Sequence, residues 1–393
     1  MEAALKESLK IDKTNWIPVK FGDVAFEPKE NARDIYTEGI EHVVGLEHID
    51  SENIHLTRSG KLEDSTTFSK KFKKGDVLFG RRRAYLKKAA LASFDGICSG
   101  DITVFRTKKN LLPELLPFIV NNEKFFDYAI KHSAGGLSPR VKFKDLANYE
   151  FLLPPKAQQA QLAELIWAMD EVIEREREVL ERTQINIEVQ SSHLIWNSNH
   201  KLEPLVSFTK NGLNKLVDGD WIESKDQSEE GIRLLQLADI GIREFFNKSA
   251  RFISEETFKR LRCFEVLPDD VIIARMPDPI GRACIVPDTN EKMITAVDCC
   301  IARVNQGHSS NKFLMYLLNT REFLHSANLL ASGTTRQRIA RKTMEQMKVP
   351  KPNLSIQEEI FGRLDTLTKI KKSADWKISS SQALQKSLIN QIF

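Results

Sequence analysis

The second half of this chain repeats its first half, and each copy runs into a long amphipathic helix. Setting KFFDYAIKHSAGGLSPRV, ending at Val141, over EFLHSANLLASGTTRQRI, ending at Ile339, gives an offset of 198 positions. No gap is needed from about Pro113 to Leu162. Phe125 falls on Phe323, Ala129 on Ala327, Gly135 on Gly333 and Arg140 on Arg338. Further on, Pro154 falls on Pro352, Gln159 on Gln357 and Leu162 on Ile360. Internal repetition decides an architecture before any local motif is weighed. Two copies of one globular unit, joined by matched helices, imply a molecule that does one thing twice at two places a fixed distance apart.

A chain of 393 residues has room for two or three domains with filled cores. With 41% hydrophobic and 28% charged residues it reads as folded rather than disordered. No apolar run has the length of a bilayer span. The opening MEAALKESLKIDKT lacks the apolar core of a secretion signal, so a cytoplasmic location with no membrane partner is expected. Cys98, Cys263, Cys284, Cys299 and Cys300 form no C-x-x-C pair. They read as buried or incidental thiols in a reducing compartment, and no metal site or cofactor is expected.

Upstream of the ungapped block the repeat is looser. Lys20-Phe21 is set against Lys201-Leu202, Leu46 and Ile49 against Leu237 and Ile240, and Asp76-Val77-Leu78 against Asp270-Val271-Ile272. Short β-branched and aromatic runs (VAF, HVVGLEHI, DVLFG, DITVF in the first copy; RLLQLADI, DVIIA, ACIVP, CCIARV in the second) predict strands. One helix is expected from Pro113 through Ile130, stopped by Gly135-Gly136, and its counterpart through Phe313 to Leu324, stopped by Gly333. NYEFLLPP and MKVPKPN close the two units. The chain therefore divides into a module over 1–155, a helix over 156–198, a second module over 199–352 and a second helix over 353–393.

The helices carry narrow apolar stripes. Leu162, Leu165, Met169 and Val172, followed by Val179, Thr183, Ile187 and Leu194, keep a three-four spacing in the first. In the second, Ile360, Leu364, Leu367 and Ile378 do so with Lys371, Ala374, Leu388 and Ile392. Such a stripe is a coiled-coil seam and needs a partner, the nearest candidate being the other helix.

Catalytic signatures are missing. There is no G-x-x-x-x-G-K-[ST] phosphate loop and no G-x-G-x-x-G turn for a dinucleotide or S-adenosylmethionine. The D/N-P-P-[YF] segment of amino-methyltransferases is also lacking, since Pro277-Asp278-Pro279 has neither paired prolines nor an aromatic. Pro287-Asp288 with Glu291-Lys292 has the wrong spacing for a metal-dependent nuclease, and no histidines pair at i,i+4 around a glutamate.

Basic loops remain. Net charge is only +4, yet nine Lys and Arg stand between Lys70 and Lys88 against the single Asp76. GRRRAYLKKAA follows one strand with Arg81, Arg82, Arg83, Tyr85 and Lys87; ARMPDPIGRACIV follows its counterpart with Arg275 and Arg282. A second matched pair of segments follows the domain helix, with Arg140 and Lys142 in one copy and Arg336, Arg338 and Arg341 in the other. An arginine fork can face guanine O6 and N7 while neighbouring cations hold phosphates. A solvated turn protecting a sheet edge is the bland reading of the same residues. Equivalent positions in both copies favour DNA contact.

The junctions FLLPPKAQQAQLAEL and VPKPNLSIQEEIFGRL, an apolar strand, prolines, a spacer, a glutamine and then a long helix, resemble the specificity subunit of type I restriction–modification enzymes. The usual Glu-Gln is replaced by Gln158-Gln159 in one copy and Ile356-Gln357 in the other. The resemblance runs from about Trp16 to Phe393. It implies a mixed α+β chain of two similar α/β target recognition domains, separated by two long antiparallel coiled-coil helices with pseudo-twofold symmetry. It further implies a non-catalytic subunit reading a split double-stranded DNA site, assembled with two methyltransferase subunits and in some systems two restriction subunits. A coiled-coil scaffold with two protein-binding domains, or a diverged methyltransferase or nuclease, are the competing expectations.

Overall fold

The computed structural model describes residues 11–62, 67–197, 199–209 and 215–393, so most of the stretch searched for a secretion signal lies outside the described residues. Two compact units emerge: residues up to Glu176 with Trp376–Phe393, and Arg177–Asp375. The long helices, Lys156–Trp196 and Leu354–Ile392, each contribute to both, so a unit is a module plus a piece of each helix.

In the first unit an antiparallel sheet runs in the order Ala25–Phe26, Ile102–Thr107, Val77–Gly80, Ala89–Leu91. The central strand VLFG is apolar throughout because both its faces are covered. Side chains alternate across a strand, so Val77 and Phe79 join a core with Phe21, Phe105 and Phe125, while Leu78 joins another with Val44, Ile49 and Phe72. A smaller sheet, Val43–Val44, Gly96–Cys98, Lys70–Phe72, begins with a parallel pair. Ile17–Lys20 and Glu150–Leu153 pair antiparallel and close the module.

The second unit uses the same plan. Its sheet runs Val217–Asp218, Cys299–Ala302, Val271–Ala274, Ala283–Ile285. Val271 and Ile273 face a core with Phe313 and Phe323; Ile272 and Ala274 face one with Leu235 and Met293. Its smaller sheet adds a strand, Gln227–Ser228, Phe252–Ile253, Ile232–Leu235, Met293–Thr295, and again contains a parallel pair. Leu202–Pro204 pairs with Lys348–Pro350.

Buried polar groups repeat as faithfully as the strands. Gln159 and Gln357 are enclosed; each donates to a proline carbonyl (Pro154, 2.9 Å; Pro352, 2.7 Å) and accepts a backbone N–H (Leu112, 2.9 Å; Ser310, 2.8 Å). The glutamine of the junction thus pins the start of each long helix to its module. Asp76 takes a bidentate pair from Arg106 (2.7 and 2.8 Å), and Asp270 one from Arg303 (2.9 and 2.7 Å). Planar forks of this kind are geometrically demanding, so their recurrence marks a shared scaffold. All five cysteines are free and buried, and burial pushes the Cys98 thiol up to about 12.

Three expectations need correction. The single domain helix is broken in both copies: Leu116–Val120 then Glu123–Lys131, and Asn311–Leu318 then Arg321–Leu329. Asn122 and Thr320, one repeat apart, cap the second piece through their side chains, which is what those residue types do best. Lys20-Phe21 corresponds to Pro204-Leu205, not Lys201-Leu202: Lys20 pairs with Glu150 as Pro204 does with Lys348, and the Phe21 and Leu205 amides donate to Tyr149 and Met347. A three-residue strand without distinctive side chains gave the alignment nothing to hold.

The seam of the first helix also differs. In its first half the buried positions are Gln159, Ala163, Ile166, Asp170 and Ile173, one residue beyond Leu162, Leu165, Met169 and Val172; further along, Thr183 and Ile187 are buried as expected and Val179 is exposed. Leu162 and Met169 pack at the edge of the core, while Leu165 (42%) and Val172 (49%) are exposed. In the second helix Ile360, Leu364 and Ile378 are buried as expected and Leu367 is half-buried. Within the first unit the helices run antiparallel, for Lys377 meets Glu176 (2.9 Å) and Gln385 meets the Ile166 carbonyl (3.3 Å).

Candidate nucleic-acid interface

In each unit the strand entering the basic loop meets the segment after the domain helix. The Val141 amide donates to the Arg81 carbonyl (3.0 Å), and the Ile339 amide to that of Arg275 (3.0 Å). Arg81 and Arg275 in turn donate their own amides to the carbonyls of Asp101 (3.0 Å) and Asp298 (2.9 Å). The second segment is a tight loop in both, Ala134 paired with Arg140 and Ser332 with Arg338. Gly135 (φ +116°) and Gly333 (φ +108°) sit where a side chain would be strained. The two sequence-matched basic segments are therefore adjacent within each unit.

In the first unit this junction is closed by charge. Asp101 receives Arg140 (Nε to Oδ1, 2.7 Å) and Arg82 (Nη1 to Oδ2, 3.2 Å), and Arg82 also donates to Ser138 (3.1 Å). Burial works against ionisation of Asp101, but the hydrogen bonds from Arg140 and Arg82 hold its carboxyl below the ordinary range. Arg81 is half-buried, and Lys87 reaches Glu52 at 3.5 Å. Arg83 and Lys87 adopt left-handed backbone (φ 53° and 47°) on either side of the turn Ala84–Leu86. Such non-glycine strain is uncommon and collects at functional loops. It presents Arg83 and Tyr85 (53% exposed) outward, and Lys142 is exposed close by in sequence to Arg140.

The second unit treats its arginines differently. Arg275 is buried, with Nε on the Ile339 carbonyl (3.1 Å) and Nη1 on Asp218 (2.6 Å). Arg282 is buried too and donates to four carbonyls, of Ile240, Met276, Pro279 and Leu237. Arg341 binds Asp218 (2.7 Å) and Glu345. All three hold the fold rather than face outward, contrary to the expectation that Arg275, Arg282 and Arg341 contact DNA. Arg338 lies half-buried against the Val297 carbonyl, 3.7 Å from Asp298, and Arg336 is exposed.

Beside Arg336 and Arg338 opens a cleft of about 470 Å³ that no motif announced. Its walls include Trp221, Gln227, Gln236, Arg251, Asp220 and Asp298. Trp221 is 69% exposed and Arg251 is exposed. These residues come from separate segments brought together by the smaller sheet, which is why linear spacing did not reveal them. Burial pushes the Asp220 carboxyl up to about 6.

Elsewhere in the first unit, His55 Nε2 hydrogen-bonds Asp170 (2.7 Å), with Glu174 at 3.9 Å. Their ligand-type atoms lie within 4.8 Å of one another, the one such grouping found among the described residues. The contact ties a module loop to the long helix. Among the described residues no helix is long and apolar enough to cross a membrane.

Comparison with known proteins agrees with this arrangement. The family described as Type I restriction modification DNA specificity domain matches twice, over residues 16–182 and 208–377. The MjaVIII specificity subunit of Methanocaldococcus jannaschii is 22% identical over 323 residues, 74% of this chain and 76% of that protein. The EcoDI specificity subunit of Escherichia coli is 29% identical over 119 residues, covering 29% of this chain and 26% of that protein. Among solved structures, a chain of a type I R-M system studied for complex assembly and conformational transition aligns with TM-score 0.61 at 20% identity, over 96% of this chain and 97% of that one. The S subunit of a type I system from M. genitalium aligns with TM-score 0.57 at 14% identity, over 98% of both.

Proposed function

The chain belongs to the type I restriction–modification DNA specificity family, and from that premise we propose that each of its two units reads one half of a split double-stranded DNA site. It is a DNA-recognition subunit without catalysis of its own. Methylation comes from two methyltransferase subunits that assemble with it, and cleavage from two restriction subunits where the system has them. The cytoplasm, where such DNA is met, is its place of work.

The observation that carries this reading is the repeated junction of basic loop and post-helix segment, built by the same backbone hydrogen bonds in both units. One recurring scaffold with unlike side chains is what reading two different half-sites requires. Arg83, Tyr85 and Lys142 in the first unit and Arg336 in the second are exposed at that junction, as is Arg140, whose guanidinium is tied to Asp101. Arg81, Arg82 and Arg338, half-buried, shape it from behind, and Lys87, half-buried on Glu52, borders it. Affinity comes largely from phosphates and falls with salt; sequence choice comes from the few groups that reach base edges.

Exposed Leu165 and Val172, seven residues apart on the first long helix, give an apolar stripe for a methyltransferase subunit. Mapping methylated adenines in cells that carry the assembled system tests the whole reading. A two-part motif with a fixed gap supports it; methylation by this chain alone, or assembly without any sequence preference, overturns it.

A further inference from the structure

We propose that the cleft of the second unit is where that unit reads its half-site, taking one strand of duplex DNA across Trp221, Gln227 and Gln236. The inference rests on the reading that the unit recognises DNA, and it assigns the task to residues outside the basic loops.

Five observations converge there. The arginines that the repeat would nominate, Arg275 and Arg282, have committed their guanidinium groups to the fold's own carbonyls and Asp218. The junction loop nevertheless opens onto a cleft of about 470 Å³, roomy enough for part of a nucleotide strand. The exposed cations Arg251 and Arg336 are both part of its lining, positioned for phosphates. Its wall carries two side-chain amides, Gln227 and Gln236, neither of them fully buried. A glutamine amide can pair with the N6 and N7 of adenine at once, whereas a lysine or arginine cannot. Trp221, 69% exposed, is a large flat apolar side chain left in water; a thymine methyl in the major groove would cover it.

Division of labour follows. Arg251 and Arg336 hold the backbone, Gln236 and Gln227 read, and Trp221 packs on a thymine methyl. The acids Asp220 and Asp298 on the same wall make the cleft less positive than a pure phosphate groove. That suits a surface that must release wrong sequences.

The test uses the full complex of this chain with its methyltransferase subunits, with the methylated motif and the salt dependence of DNA affinity as readouts. Exchanging residues 199–352 for the corresponding module of another specificity subunit marks which half of the motif belongs to which unit. Gln236→Leu and Trp221→Ala are expected to relax the second half-site by about tenfold at one or two positions and leave the first intact. Arg251→Ala is expected to weaken binding on all sequences and to reduce the salt slope by about one. Thermal unfolding of each variant, and Trp221→Phe as the milder change, separates loss of reading from loss of fold. Wild-type motif and affinity in all these variants would overturn the assignment, as would relaxation of the first half-site instead. A wild-type complex that methylates no split motif defeats the underlying DNA reading, a result distinct from silent cleft variants.

Discussion

The two units build one scaffold and spend their charges in opposite ways. In the first, Asp101 is clasped by Arg82 and Arg140 and the junction is closed. In the second, the equivalent Asp298 stands 3.7 Å from Arg338, and a cleft walled by Trp221 opens alongside. At the junction, the hydrogen bonds of Val141 and Ile339 and of Arg81 and Arg275 recur, so there the difference lies largely in side chains. A recognition protein can therefore change what it reads without touching what holds it together.

The same contrast runs through the buried ion pairs, where the largest effects are expected. Arg106 has a second acid, Glu30 (2.9 Å), besides Asp76; among the described residues Arg303 has no second acid, adding to Asp270 the Glu265 carbonyl and the Phe264 ring. Removing one partner of a buried pair leaves a charge stranded. Asp270→Ala should cost about 3–5 kcal/mol in chemical denaturation, and Asp76→Ala about 1 kcal/mol less, because Glu30 remains to pair with Arg106. Equal losses would mean that the units are not buffered differently.

Next comes the seam of the first helix. Ile166 is enclosed and Leu165 is 42% exposed. Ile166→Ala is expected to destabilise by about 3 kcal/mol through loss of buried methylenes and the cavity left behind. Leu165→Ala should fall within about 0.5 kcal/mol, yet Leu165→Asp with Val172→Asp should abolish capture of the methyltransferase in co-purification. A folded double variant that still assembles would remove that stripe from the proposed docking surface.

Those two residues also show where sequence reasoning stops. The repeat, the paired helices and the junction glutamines, though not the burial of Gln159 and Gln357, could be read because each has a distinctive spacing or residue type. The first half of that seam reads one position early because Leu162-Ala163, Leu165-Ile166 and Val172-Ile173 offer adjacent apolar side chains, and Asp170, which is buried among them, is polar; Thr183 and Ile187 further along read correctly. What places Asp170 inside is His55, 115 residues away. Arg275 and Arg282 looked like DNA readers because loop position is visible in a sequence and burial is not. Trp221 and Gln236 went unnoticed for the converse reason: their meaning lies in the cleft, which only the folded smaller sheet assembles.

At the junctions themselves, Arg83→Ala and Arg336→Ala should each affect one half-site or the common backbone. If they hold phosphates, the slope of log affinity against log salt falls by about one for each, with the motif unchanged. If either reads a base, discrimination at one position drops by roughly 1–3 kcal/mol. Competition binding with half-site mutants distinguishes the two, and no change in either measure would remove these arginines from the interface.

The smallest effect concerns the carboxylates. Asp101 is kept ionised by its two arginines, whereas Asp220 in the cleft wall is pushed by burial from an ordinary 3.8 up to about 6. Between those values the folded second unit holds a proton that the unfolded chain has released. The contribution of Asp220 to stability is therefore complete below about pH 4 and is lost as pH rises through 6. Asp220→Asn keeps an oxygen for the Phe264 amide (3.1 Å) and cannot ionise. The melting temperature of this variant relative to wild type should climb between pH 4 and 6 and level off above, since shared slopes from other groups cancel in the difference. A difference that stays flat from pH 4 to 7.5 would show that Asp220 ionises as easily as a surface acid, and that the cleft wall is wetter than its geometry implies.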